Sequence, residues 1–401
     1  MLRFTTAGES HGPALVSILE GMPAGVPLAA SDVDAELARR QQGYGRGRRM
    51  QIEQDAIELL SGVRAGETIG SPIAMLIRNR DWKNWSEIMN PARNEGEAEG
   101  DQRKRVVTRP RPGHADLAGL LKYGRQDARD ILERASARET TARVAAAAVC
   151  RRLLREFDIR IGSHVVHLGG VDARQPERLP DDLNTAADRS PVRTLDPDAE
   201  RQMISRIDEA RRAGNTLGGV CEVVCTGLPV GLGSHVSWDR KLDGRLAAAL
   251  MSIPAVKGVE VGIGFGAARL PGSDVHDEIE WAKDRSLTGN VRRRSNRAGG
   301  LEGGITTGEP LVLRVAMKPI STLMRPLTTV NLETGEPAEA VAERSDVTAV
   351  PAMGVIAEGM VAFVVAQALL EKFGGDSLAE TRRSFTAYLD DVGTRFGPAN
   401  D

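Results

Sequence analysis

Positions 14–19 form an apolar run that breaks at a Gly/Pro turn over 21–25. Ser31, a residue type that caps helix N-termini, then opens a helix predicted to reach about Gln41. Positions 52–60 and 72–77 read as strands closing around Gly62 and Gly70. The polar, irregular stretch 81–103, with Trp82 and Trp85 in it, reads as a surface excursion. From Asp116 the pattern turns helical, most clearly over 127–156, where Ile131, Ala135, Ala142, Ala145, Ala146, Val149 and Leu153 recur near helical spacing. Strands resume at Ile159 and over 220–228, while 174–198, rich in Pro and Asp, reads as a loop. A short helix at 242–251, strands at 258–264 and 310–317, a helix at 351–373 and a polar tail complete the chain. Strands and helices interleave without strict alternation and no repeat is present, which favours an α+β fold with largely antiparallel sheets in one domain spanning 1–401.

Composition narrows the class. The chain has 401 residues, 41 % hydrophobic, enough for a large core, but only 3 % aromatic, so burial leans on aliphatic side chains. Lys and Arg total 53 against 55 for Asp and Glu, which disfavours a dedicated nucleic-acid binder and requires any anion site to gather its cations locally. The N-terminus lacks a signal-peptide pattern, and no run is read as approaching the roughly 18 apolar residues of a membrane span, so a cytoplasmic protein is expected. Cys150, Cys221 and Cys225 are not in metal or redox spacing and read as small buried hydrophobes.

Seven stretches could carry chemistry. Gly8-Glu9-Ser10-His11-Gly12 places a histidine between glycines that let backbone approach a ligand, or is a surface turn. Arg39, Arg40 and 42–49 (QGYGRGRR) alternate glycine with arginine, which suits wrapping cations around an anion, or form a solvated basic loop. Thr108–Asp116 (TRPRPGHAD) sets His114 before a helix, where it is a functional group or a structural partner of Asp116. Over 133–140 (ERASARET), Arg134 and Arg138 share a face if the segment is helical, with Ser136 nearly opposite, though Arg129/Glu133 and Glu139/Arg143 are pairs any exposed helix shows. Finally 294–304 (RSNRAGGLEGG) is a glycine-rich loop, Lys318-Pro319-Ile320-Ser321-Thr322 suits a phosphate, and Arg344-Ser345-Asp346 precedes the last strong helix. Many arginines, two loop histidines and no zinc pattern point to polyanionic small-molecule chemistry without a metal.

Found together and in this order, GESHG, RPGHAD, ERASARET, RSNRAGGLEGG and KPIST closely resemble the chorismate synthase family, from about Thr5 to about Leu378, with gaps near 86–103 and 170–200. The resemblance implies a β-α-β sandwich, with long helices between antiparallel sheets, assembled as a homotetramer. It implies an anti-1,4-elimination of phosphate from 5-enolpyruvylshikimate 3-phosphate, with reduced FMN required but no net redox change.

It also implies residue roles. His11 resembles the acid assisting phosphate departure, His114 the partner of reduced flavin, and Asp346 the group that helps take the C6 hydrogen. Arg40, Arg46, Arg49, Arg111, Arg138 and Arg344, with Ser136, Ala137 and Ser345, resemble the substrate shell. Arg134, Ala135, Ser136, Pro254, Ala255, Gly303, Lys318, Pro319, Ile320, Ser321, Thr322 and Arg344 resemble the FMN contacts. Pro254, Thr348 and Gly359 depart from the family pattern, and glycine inside a helix costs about 1 kcal/mol relative to alanine. Lacking a dinucleotide fingerprint, the chain is expected to receive reduced flavin from an external source, and to bind no nucleic acid or membrane. The rivals are an RNA or anion binder using Arg46–Arg49 and Arg292–Arg297, and a flavoprotein with net electron transfer.

Overall fold

A computed structural model describes residues 1–47, 54–92, 103, 105–286, 288–341 and 346–395. β1 (Arg3–Ala7), β2 (Ala14–Glu20), β3 (Ile57–Leu59) and β4 (Ile73–Arg78) form one antiparallel sheet in the order β1-β2-β4-β3. Alternation decides which face is buried: Leu15, Leu19, Ile73, Met75 and Ile77 all point into the core. β5 (Arg160–Leu168), β6 (Val171–Asp172), β7 (Gly219–Thr226), β8 (Val256–Val261) and β9 (Leu311–Met317) form the second antiparallel sheet, in the order β8-β9-β7-β5-β6.

The helices, in chain order, are α1 (Ala30–Gln41), α2 (Asp116–Tyr123), α3 (Arg129–Ala135), α4 (Thr140–Arg155), α5 (Leu183–Ala187), α6 (Pro197–Arg212), α7 (Leu242–Met251), α8 (Val350–Phe373) and α9 (Leu378–Arg395). α4 packs on β2, α8 on β5 and β7, and α1 against both helices, so helices fill the space between the sheets. This is the expected α+β sandwich. Small residues set its spacing: a Cβ on Gly359 would lie 3.0 Å from Ala147 Cβ, so this helix-interior glycine serves the close approach of α8 to α4.

Several expectations change. α1 is capped at Ala29, whose N–H donates to Asp32, and Ser31 lies inside the helix. The strand expected at 52–60 is confined to Ile57–Leu59, with 52 and 53 outside the described residues. The helical stretch 127–156 is broken at Ser136, whose extended backbone separates α3 from a 3₁₀ turn at Ala137–Glu139 while its hydroxyl accepts from Arg138 N–H. Arg134 and Arg138 therefore do not share a helix face. The loop expected at 174–198 contains α5 and runs into α6, which Asp196 caps ahead of Pro197. The polar tail is α9, with Leu378, Phe385 and Val392 buried.

α8 also corrects the reading that no run approaches a membrane span. Its 24 residues are long and apolar enough to cross one, but 83 % of its most apolar window is buried inside the molecule. It is apolar all round because it is packed all round. The exception is Glu358, fully buried, which accepts from Arg39, Arg151, Arg193, Ser163 and Asn184. Burial pushes its carboxyl up, but these cations outweigh that and hold it well below the usual carboxylate range.

Candidate active site

The β1–β2 turn carries His11. Gly8 makes the turn possible: its φ is +105°, and a Cβ there would sit 2.4 Å from Ala14 O. Glu133 of α3 then takes hold of the turn. Its backbone carbonyl accepts from Ser10 N–H, and its carboxylate accepts from His11 N–H (2.9 Å) and His11 Nδ1 (2.9 Å). Burial raises the Glu133 pKa, but the bonds from His11 and the charge of Arg129 outweigh this and lower it overall. Glu133 is therefore an acceptor only, so Nδ1 carries the proton and Nε2 is the nitrogen left to exchange one. Glu133 was legible only as the partner of Arg129 on an ordinary helix; that pair exists (2.9 Å) but is buried and serves the histidine.

Next to this turn lies a buried arginine cluster. Asn79 donates to Glu9 O and Gly12 O and accepts from Arg138 Nε and Nη2 at 3.0 and 2.8 Å. Arg138 also donates to Asp55 at 2.6 Å. Arg40 reaches in from α1, donating to Thr140 Oγ1 and Ala137 O. Its Nη1 is buried without a hydrogen bond, with Asp55 Oδ2 3.8 Å away. Burial, opposed by Asp55 and reinforced by Arg46 and Arg138, pushes Arg40 down to about 9, still a cation at neutral pH. Asp55 Oδ2 is likewise buried without a hydrogen bond, so donor and acceptor of this one ion pair stand just beyond bonding distance of each other.

Arg46 pairs with Asp346 at 3.1 Å, and Asp346 also accepts from Gly47 N–H at 2.6 Å. α8 starts after Ala349, so Asp346 does not cap it. Both line a cavity of about 420 Å³ with Thr216, Thr322 and Val347. Thr322 joins it to the third group, accepting from Arg111 Nη1 at 3.0 Å. Fully buried Asp116 accepts from Arg111 Nε (2.9 Å) and His114 Nδ1 (2.5 Å). Burial pushes Asp116 up, but the His114 and Arg111 bonds prevail and hold it well below the carboxylate range. His114, like His11, thus keeps its proton on Nδ1, and its Nε2 lies 3.5 Å from Arg111 Nη2. The expected structural pairing with Asp116 is real and compatible with a role for the ring.

Lys318 Nζ and Ser321 Oγ converge on Gly113 O, and Lys318 N–H donates to Ala255 O. Ala255 has φ +69°, an uncommon conformation for alanine, held at the junction of α7 and β8.

Not every expected residue joins this assembly. The Arg134 guanidinium is spent on Thr6 and Gly8 O. Gly303 sits in the turn of a hairpin at 301–306, next to Gly304, whose carbonyl accepts from Leu242 N–H at the start of α7. The loop 294–304 is a packing device: a Cβ on Gly299 would sit 2.3 Å from Gly262 N. Arg49, Arg344 and Ser345 lie outside the described residues. Arg292, Arg293 and Arg294 are paired with Glu280, Glu302 and Glu278, which offsets part of the positive charge at 292–297. Asp55 and Asn79, and the bond of Glu133 to His11, escaped the sequence reading because each residue is separated in the chain from the arginine or histidine that it orients. A larger cavity, about 1070 Å³ and lined by Arg155, Arg160, Asp181 and Val224, takes in Arg39 and Asn296 but none of the residues to which the resemblance gives a role.

The family model described as chorismate synthase matches residues 2–370. Chorismate synthase of Symbiobacterium thermophilum is 56 % identical over 98 % of this chain and 100 % of its own length. That of Trichlorobacter lovleyi is 58 % identical over 97 % and 98 %. A crystal structure of chorismate synthase superposes with a TM-score of 0.78 at 43 % identity, covering 98 % of both chains.

Proposed function

The chain belongs to the chorismate synthase family and is a lyase, and from that premise we propose that it converts 5-enolpyruvylshikimate 3-phosphate to chorismate. The reaction is an anti-1,4-elimination of phosphate with loss of a C6 hydrogen, requiring reduced FMN without net redox change. The observation that carries this reading is His11, oriented by Glu133, on a turn that Asn79 ties to the buried arginines Arg138 and Arg40.

The substrate carries about four negative charges, a phosphate and two carboxylates. Arg40, Arg46, Arg111 and Arg138, joined by Arg49 and Arg344, balance them, with Ser136, Ala137 and Ser345 donating shorter-range contacts. His11, held through Nδ1, delivers a proton from Nε2 to the departing phosphate. Asp346, which lines a cavity with Arg46 and Thr322, assists removal of the C6 hydrogen.

The donor set near Gly113 fits a flavin mononucleotide in kind: an ammonium, two hydroxyls and a strained backbone turn at Ala255. Lys318, Ser321 and Thr322 suit its phosphate, and Pro254, Ala255, Pro319, Ile320, Arg344 and the segment Arg134, Ala135, Ser136 suit its remaining edges. When bound, reduced FMN supplies electron density that assists departure of the phosphate. His114, fixed by Asp116, stabilises the reduced form from its Nε2 side. Gly303 belongs to this set by resemblance alone. The protein acts in the cytoplasm as a homotetramer supplied with reduced flavin from outside; exposed Trp238, Phe265 and Trp281 support self-assembly.

Anaerobic phosphate release with reduced FMN tests the reading. Turnover is expected to need reduced FMN while leaving its concentration unchanged. Full-rate release with oxidised FMN or without flavin would exclude it, and stoichiometric flavin oxidation would favour the electron-transfer rival.

Asp346→Asn gives a second test. Asparagine keeps the bond to Gly47 N–H but accepts no proton at neutral pH, so kcat is expected to fall about tenfold or more. Substrate and flavin dissociation constants should change only modestly. Near-normal kcat would reduce Asp346 to an anchor for Arg46.

A further inference from the structure

The surface stretch expected at 81–103 begins with residues that reach the site. Asn79 grips the main chain of the His11 turn, and the 3₁₀ turn Arg80–Asn84 leads directly to Trp85. Trp85 lies face to face with His11, ring centroids 3.9 Å apart and planes 29° apart. Its Nε1–H donates to Asp81 Oδ2 at 3.0 Å, which fixes the indole plane. The guanidinium carbons of Arg105 and Arg129 lie 5.3 and 5.1 Å from the Trp85 ring.

We propose that Trp85 is a positioning residue for His11, holding the imidazole plane and favouring its protonated form through the indole face. This rests on the reading of His11 as the proton donor. An aromatic face attracts a cation laid against it, and imidazolium is such a cation. The same ring stands among charges that bear on His11 from every side. Glu133 favours the imidazolium. Arg129, Arg105, Arg134 at the turn, and Arg138 beyond Asn79 oppose it, while Glu9 and Asp81 are the acids of the turn and the following segment. Removing the indole takes away the attractive face, which lowers the proton affinity of His11.

The experiment compares the wild type, Trp85→Leu and Trp85→Phe by NMR titration of histidine Cε1–H, with His11→Gln identifying the resonance. In the wild type that resonance should lie upfield, from the stacked indole current. In Trp85→Leu the upfield displacement should vanish and the titration midpoint fall by about half a unit. With His11 the required acid, kcat near neutral pH should then fall about threefold, with KM little changed. Trp85→Phe, which retains an aromatic face, should recover most of both. An unchanged midpoint and unchanged resonance in Trp85→Leu would overturn this inference. A shifted midpoint with unaltered kcat would uphold the stack and overturn instead the assignment of His11 as the acid.

Discussion

His11→Ala is expected to lower kcat by about 10²–10⁴-fold in protein that folds normally, the usual worth of a positioned acid–base group. The expectation follows from the bond pattern. Glu133 accepts from both the backbone N–H and Nδ1 of His11, so ring position and tautomer are decided before substrate arrives. Alanine removes the Nε2 proton and leaves Glu133 with Arg129 as its remaining charged partner. The loss should therefore appear chiefly in kcat, since charge on the substrate is balanced by arginines that do not depend on the histidine. His114→Ala is expected to lose activity on a similar scale. His235 and His276 are exposed and outside the assembly, so their alanine variants should turn over at near-normal rates. Steady-state kinetics on the four variants, with circular dichroism to establish folding, checks the set. Comparable losses at His235 or His276 would show that the histidines had been misassigned.

Glu358→Ala is expected to cost about 3–5 kcal/mol of stability, the range for removing one side of a buried ion pair. Three guanidiniums converge on this carboxylate, and Ser163 and Asn184 bind it as well. Arg39 retains Glu36 and Asp188, which limits the loss; Arg151 and Arg193 are left with weaker compensation. For a chain of this length the change corresponds to a fall in Tm of about 4–6 °C. Because the folded pKa of Glu358 is depressed, its stabilisation is present above the unfolded value of about 4.3 and is lost as pH falls toward the folded value. Glu358→Gln should accordingly flatten the acid limb of the stability profile while leaving the packing of α8 nearly intact. Thermal melts at neutral pH and near pH 4 check both statements; a Tm within about 1 °C of wild type for Glu358→Ala would refute the first.

Much was legible in the chain alone. The apolar runs at 14–19 and 72–77 and the short α7 announced themselves, because each buries an apolar face, and α8 did so by its length and unbroken apolar character. The family was legible in five motifs, since residues that must meet a polyanion are constrained in type as well as in position. Other features were decided only by tertiary structure. The break at Ser136 depends on a hydroxyl capping a new turn, a local competition that helical spacing does not reveal. α6 was hidden because its buried stripe, Ala199, Met203, Ile207 and Ala210, is thin and lies behind a Pro- and Asp-rich lead. Glu133 beside His11, Asn79 beneath Arg138 and Trp85 against the imidazole join residues far apart in the chain, and nothing in local periodicity links them. Sequence alone determined which groups were available to bind an anion and move a proton. The packing of α3, α1 and the segment after β4 around the β1–β2 turn decided which group orients which, because hydrogen bonds and charge act over a few ångströms in space whatever the separation along the chain.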